Sequence, residues 1–171
     1  MNETPTNLAR PAVSGTFDLV DHDGCEVTDR TYRGKYVLVF FGFTHCKMVC
    51  PRALNRLSGV LDRLGALAQR IQPLYITVDP ERDTPAAMKR FLSSDYPRFT
   101  GLTGSAEQIE TAKNSFRVFS TVVGDPEDPD GYQMPHSAFT YVLDPDGAYM
   151  AHFTDAVDED ELVTRLTAIL R

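Results

Sequence analysis

Two thiols and an imidazole are the side chains of this sequence best suited to chemistry. Cys46 and Cys50 lie four apart in FGFTHCKMVCP, after an apolar run that reads as a strand and at the start of a segment with helical spacing. In a parallel α/β unit that strand-to-helix corner is where ligands bind. Residues four apart share one helix face, so both sulfurs can point at one ion if the second lies in the first helical turn. The helix N-terminus and the neighbouring Lys47 both favour the thiolate, the form that ligates metals and attacks disulfides. The competing reading, two inert buried thiols, fits poorly with a position beside Pro51 at such a corner.

His136 closes an acidic loop and stands directly before a strand expected at 138–144. If that strand runs antiparallel to the central ones, it begins at the same sheet edge as the carboxyl end of strand 36–43, near the thiols. Two thiolates and one imidazole form a soft, three-point site. Thiolates favour Cu(I), zinc or an iron–sulfur cluster, and a three-ligand set suits copper best. Zinc ordinarily takes a fourth ligand, for which Asp79 at the end of strand 71–78 is available. The alternative for His136 is a plain surface-loop histidine.

Other residues invite weaker readings. Cys25 follows Asp21-His22-Asp23-Gly24, which suggests a tight hairpin turn with an incidental cysteine more than a second His/Cys site. His45 sits at a strand end and should point away from Cys46. His152 reads as a half-exposed strand residue, while Tyr132 and Met134 are candidates to line the site. Met48 is either a soft thioether ligand or ordinary packing. The acidic run 125–130 is a solvated loop, or else a surface that steers a basic partner or a cupric ion. Arg82 and Asp83 are candidates either to pair and hold their loop shut or to contact a partner.

The elements that must position these groups follow from periodicity. FDLVD, an Asp23-Gly24 turn and CEVTD suggest a hairpin. YVLVFFGF at 36–43 is a continuous apolar run, the mark of a strand buried on both faces. Leu54, Leu57, Leu61, Leu64 and Ala68 form a helical stripe, with Pro51 in the first turn. Residues 71–78 form a second buried strand. Thr84-Pro85 starts a helix to about Ser93, and Ser105 with Gln108 forms a capping box for another reaching about Ser115. The segment 123–135 reads as a loop. Strands AFTYVLD and AYMAHF follow, joined by a Pro145-Asp146-Gly147 turn, and Asp158 and Glu161 cap a last helix, with Val157 stapled on Leu162. This order predicts an α/β fold: a thioredoxin-like sandwich with an N-terminal β-hairpin and a mid-chain helical insertion. Residues 1–15 are expected as a flexible lead-in and 16–171 as a single domain.

Composition agrees with one soluble globular domain: 171 residues, 42% apolar and 24% charged. The formal charge of −7, with no basic run, argues against binding nucleic acid or an anionic membrane surface and favours a basic partner or a cationic ligand. No stretch reaches the roughly 18 apolar residues of a membrane span. The start, MNETPTNLARPAVSG, has no leader pattern, so the expectation is a chain made without an export signal or one from which it was removed. Three cysteines are too few for a disulfide scaffold.

FGFTHC-x-x-x-CP, ITVDPERDTP at 76–85, GLTG at 101–104 and HS before a strand ending in DPDG together resemble the Sco/SenC family, over about residues 15 to 170. The resemblance implies a thioredoxin-fold copper metallochaperone for the dinuclear copper centre of cytochrome oxidase. It implies that Cys46, Cys50 and His136 hold one copper ion, Cu(I) or Cu(II), with Asp79 behind them. It also implies a periplasmic location or the outer face of the cytoplasmic membrane, with the family's usual anchor absent from this chain. The partners would be a copper-accepting oxidase subunit or another copper protein, and a thiol reductase. Two positions depart from the family pattern. Lys47 and Met48 replace the Pro-Asp of Cys-Pro-Asp-x-Cys-Pro, and Pro135 replaces the Asp that commonly precedes the histidine. Pro135 instead matches the place where thioredoxin-fold proteins carry a cis-proline facing the cysteines.

A different class of function uses the same thiols: an oxidoreductase that reduces the cysteines of a copper-accepting protein, with His136 only tuning them. A peroxidase of the peroxiredoxin or glutathione peroxidase type is disfavoured. Its Pro-x-x-x-Thr-x-x-Cys pattern meets Val39 and Phe43 here, and the chain has no tryptophan.

Overall fold

The computed structural model describes residues 13–44, 49–118, 123–125, 128–133, 139–154 and 156–171. Its elements in chain order are β1 (Asp18–Asp21), β2 (Glu26–Thr28), β3 (Tyr36–Gly42), α1 (Val49–Leu64), β4 (Ile71–Thr77), α2 (Pro85–Asp95) and β5 (Thr100–Thr103). Then come α3 (Ala106–Phe116), β6 (Val123–Asp125), β7 (Asp128–Gln133), β8 (Phe139–Leu143), β9 (Tyr149–Thr154) and α4 (Glu159–Leu170). Seven strands form one sheet in the order β2-β1-β5-β4-β3-β8-β9. β3, β4 and β5 are parallel, and β8 runs antiparallel to β3 with Val37 opposite Leu143 and Phe40 opposite Thr140.

β3 is apolar throughout because both its faces are covered. Leu38 and Phe40 enter a core shared with α1, α2 and α4. Val37, Val39 and Phe41 enter a second core against α3 and the β1–β2 hairpin. The expected stripe of α1 is buried at Leu54, Leu57, Leu61 and Leu64. Ala68 belongs instead to a 3-10 turn over Gly65–Arg70, because Gly65 takes a left-handed φ of 59° and ends the α-helix. The caps agree with the sequence: Thr84 Oγ1 accepts from Ala87 N–H at 3.2 Å, and Ser105 and Gln108 close their box at 3.1 and 2.8 Å. Asp158 Oδ1 accepts from Glu161 N–H at 2.8 Å at the head of α4.

Two stretches of the chain differ from expectation. The mid-chain stretch is not only helical, for it carries β5, parallel to β4 and hydrogen-bonded on its other side to β1. TGLT is short and centred on a glycine, which masks the strand signal. The glycine is needed because a Cβ on Gly101 would lie 2.9 Å from Leu92 Cδ1 and 3.1 Å from Met88 Cβ, where α2 crosses the strand. The expected loop at 123–135 contains the two-stranded β6–β7 ladder, with a register shift at Gly124/Asp125. Of the expected lead-in, residues 1–12 lie outside the described residues, while Ser14 N–H donates to Ser115 O at 3.0 Å.

Burial shapes the alkaline behaviour of the fold. Tyr141, 3% exposed on β8, packs edge-on against Phe41 and Phe116. Burial first, and Tyr149 second, push its phenol up to about 12. The folded state therefore keeps this proton when the unfolded chain, ionising near pH 10, has begun to lose it. The stability so contributed is complete below pH 10 and is lost as pH rises from there through about 12. Tyr141→Phe is expected to flatten the alkaline limb of stability against pH, measured by urea unfolding. Tyr32, likewise raised to about 12 by burial and then by Asp21, keeps part of that limb in place. An unaltered limb in Tyr141→Phe would assign it to other groups.

Candidate functional site

The parallel strands β3, β4 and β5 end at one edge of the sheet, and antiparallel β8 begins there. This is the ligand-binding edge of an open α/β sheet. Cys50 is the second residue of α1, in its first turn. His45, Cys46, Lys47 and Met48 lie outside the described residues, as do Met134, Pro135 and His136. The chain leaves the described part at Thr44, two residues before Cys46, and re-enters β8 at Phe139, three residues after His136.

The described floor of this edge is a buried polar knot. Asp79, just past β4, is 1% exposed; its N–H donates to Thr77 Oγ1 at 2.9 Å and its Oδ2 accepts from Arg82 Nε. The Arg82 guanidinium lies over the Phe43 ring, 5.9 Å from its centroid, in cation–π geometry. Asp83 is 0% exposed. Its Oδ2 accepts from Thr44 N–H at 3.0 Å and Thr77 Oγ1–H at 2.7 Å, and its Oδ1 accepts from Thr44 Oγ1–H at 2.5 Å. The Asp83 backbone joins in, donating to Asp79 O at 2.9 Å and accepting from Thr103 Oγ1–H at 2.7 Å. Buried carboxylates need such donors, since an unsatisfied one is costly to desolvate.

The candidate Arg82–Asp83 pair is therefore replaced. The turn that brings Asp83 N–H onto Asp79 O sends adjacent side chains to opposite sides, so Arg82 meets Asp79 and Asp83 faces the strand ends. Thr44, Thr77, Thr103 and Asp83 were not singled out from sequence as members of one network. The signal available was a threonine at three strand ends beside a turn with two aspartates four apart.

The lesser candidates fall elsewhere. Cys25 is exposed and free, and both its N–H and that of Asp23 donate to Asp21 Oδ1, at 3.0 and 2.9 Å, as in a simple turn. That turn lies beside the amino end of β5, where His22 Nδ1 accepts from Gly101 N–H at 3.1 Å. His152 is exposed on β9, hydrogen-bonded to Tyr149 and edge-on to Phe139. Tyr132 is part of β7. Among the described residues no group of three His, Cys, Asp or Glu is gathered as a metal site.

Comparison with known proteins shows what the chain is similar to. The SCO1/SenC family model matches residues 5–171. The SCO2-like protein RC0895 of Rickettsia conorii is 40% identical over 142 residues, which cover 82% of this chain and 69% of that protein. The structure of Bradyrhizobium japonicum ScoI with copper bound superposes with a TM-score of 0.82 at 40% identity, covering 92% of this chain and 99% of that one. Yeast Sco1 with copper bound superposes with a TM-score of 0.84 at 34% identity, covering 92% and 88%.

Proposed function

The chain belongs to the SCO1/SenC family, and on that premise we propose that it is a copper metallochaperone, carrying one copper ion on the Cys46 and Cys50 thiolates and the His136 imidazole. The observation that carries this reading is topological: antiparallel β8 starts at the edge where parallel β3 ends. Chain connectivity confines Cys46 to within about 7 Å of Thr44 and His136 to within about 11 Å of Phe139, Cα to Cα. The donor set is soft, which suits copper. Similar proteins are known with copper bound, at 40% and 34% identity.

The chain's own residues prepare that site. Cys50 lies in the first turn of α1, where the positive end of the helix dipole favours a thiolate. Asp79, 1% exposed and bonded through Oδ2 to Arg82, is assigned a place behind the ligands. The destination is the dinuclear copper centre of cytochrome oxidase, on the outer side of the cytoplasmic membrane. A thiol reductase would return the cysteines to the reduced state between cycles.

The same thiols suit an oxidoreductase that reduces a copper-accepting protein. His136→Ala separates the two. A chaperone loses copper affinity by about 10-fold or more, on the scale by which even groups behind metal ligands matter. An oxidoreductase keeps its metal-free thiol–disulfide exchange with a dithiol acceptor in that variant. Full copper affinity in His136→Ala would remove the imidazole from the ligand set.

A further inference from the structure

We propose that Asp83 is a positioning residue of the copper site: its buried carboxylate clamps the approach to Cys46 onto the ends of β4 and β5 and so sets where that sulfur stands. This rests on the copper-site reading above and adds to it a residue placed behind the ligands.

Three observations carry it. Asp83 is 0% exposed, and among the described residues its carboxylate accepts from Thr44 N–H, Thr44 Oγ1–H and Thr77 Oγ1–H. Three hydrogen bonds of 2.5–3.0 Å converge on this one buried carboxylate, so the clamp is closed on both of its oxygens. Its backbone is held in turn by Asp79 O and Thr103 Oγ1, which spreads the anchorage over β4 and β5. Thr44 is gripped twice, at main chain and side chain, two peptide units before Cys46. Only the β3 side of this knot leads into the metal-binding loop. Fixing that exit before the metal arrives removes an ordering cost from binding, which is how preorganisation raises affinity.

The test compares Asp83→Asn, Asp83→Ala, Thr44→Val and Leu166→Ala, all in a Cys25→Ser background. Asn keeps the shape but puts an amide donor where an acceptor stood. Thr44→Val deletes the hydroxyl bond and leaves the N–H bond. Leu166, buried in α4, is a destabilised control distant from the clamp. Copper affinity is read by competition with a chromophoric Cu(I) chelator, and two further properties are read besides melting temperature. One is the thiolate-to-copper charge-transfer band and EPR spectrum after cupric loading. The other is the rate of Cys46 alkylation in the metal-free reduced protein, resolved from Cys50 by tryptic cleavage at Lys47.

Asp83→Asn is expected to weaken copper binding by about 10–100-fold, shift the band and change the Cys46 rate. Thr44→Val should do the same to a smaller extent, and Leu166→Ala should alter neither spectrum nor rate. Asp83 and Thr44 variants that melt lower but keep the wild-type spectrum and Cys46 rate would reduce Asp83 to a structural staple and overturn the proposal. A wild-type protein that binds no copper, with a Cys46 rate still moved by Asp83→Asn, would sink the chaperone reading and leave the clamp standing. If Asp83→Ala does not fold, Asp83→Asn and Thr44→Val carry the comparison.

Discussion

Replacing Cys46 or Cys50 with alanine is expected to lower copper affinity by more than about 100-fold, because losses of 10–100-fold already follow from removing groups that merely support metal ligands. The thiolates supply the soft donors that select copper over harder ions, and an imidazole alone cannot hold it at this site. The cores on the two faces of the sheet are built from described residues of the strands and helices, Leu38, Phe40, Leu54 and Leu57 on one side and Val39, Phe41 and Phe116 on the other. The variants should therefore keep wild-type circular dichroism and melting cooperativity. Competition with a chromophoric Cu(I) chelator measures the affinity. A loss below threefold in either variant would remove that sulfur from the ligand set.

The largest effect on stability is expected at Phe41. It is 0% exposed, packs edge-on against Phe116 at 5.3 Å and meets Tyr141 at 6.4 Å, so one ring joins β3 to α3 and β8. Phe41→Ala removes that ring from between a hydrogen-bonded sheet and a capped helix, where neighbours have little freedom to collapse. A cost of about 3–5 kcal/mol is expected, combining lost transfer energy with an unfilled cavity. Urea unfolding measures it. A loss under about 1 kcal/mol would mean that α3 closes onto the sheet without this ring. The variant also bears on function, because Phe41 lies one residue before the end of β3, three before Thr44.

The parts of the fold that were legible in sequence are those with one strong local cause. The run at 36–43 reads as a doubly buried strand because its apolar side chains alternate between two cores, and β3 takes up residues 36–42 of it. Ser105 and Gln108 form their box because both partners lie within four residues. β5 was hidden because the reason for Gly101 is the nearness of Met88 and Leu92 across the strand, which no local pattern records. In β6 and β7 backbone pairing prevails over a stretch of prolines, aspartates and glycines that by propensity is loop. The ligand candidates were legible by residue type, and the antiparallel course of β8 expected for His136 is what the sheet shows. The support beneath them was not. Asp83 bonds groups that lie 39, 6 and 20 residues away in sequence, and those neighbours meet only once three strands end at one edge.

The central claim is a copper site built from two thiolates and one imidazole. It is tested most directly by titrating the fully reduced protein with copper, following metal-to-protein ratio, absorption and EPR after cupric loading. The account predicts one equivalent bound, with a thiolate-to-copper charge-transfer band that weakens in His136→Ala and vanishes in Cys46→Ala or Cys50→Ala. No tight binding, together with a readily formed Cys46–Cys50 disulfide, would contradict it and assign the thiols to disulfide exchange.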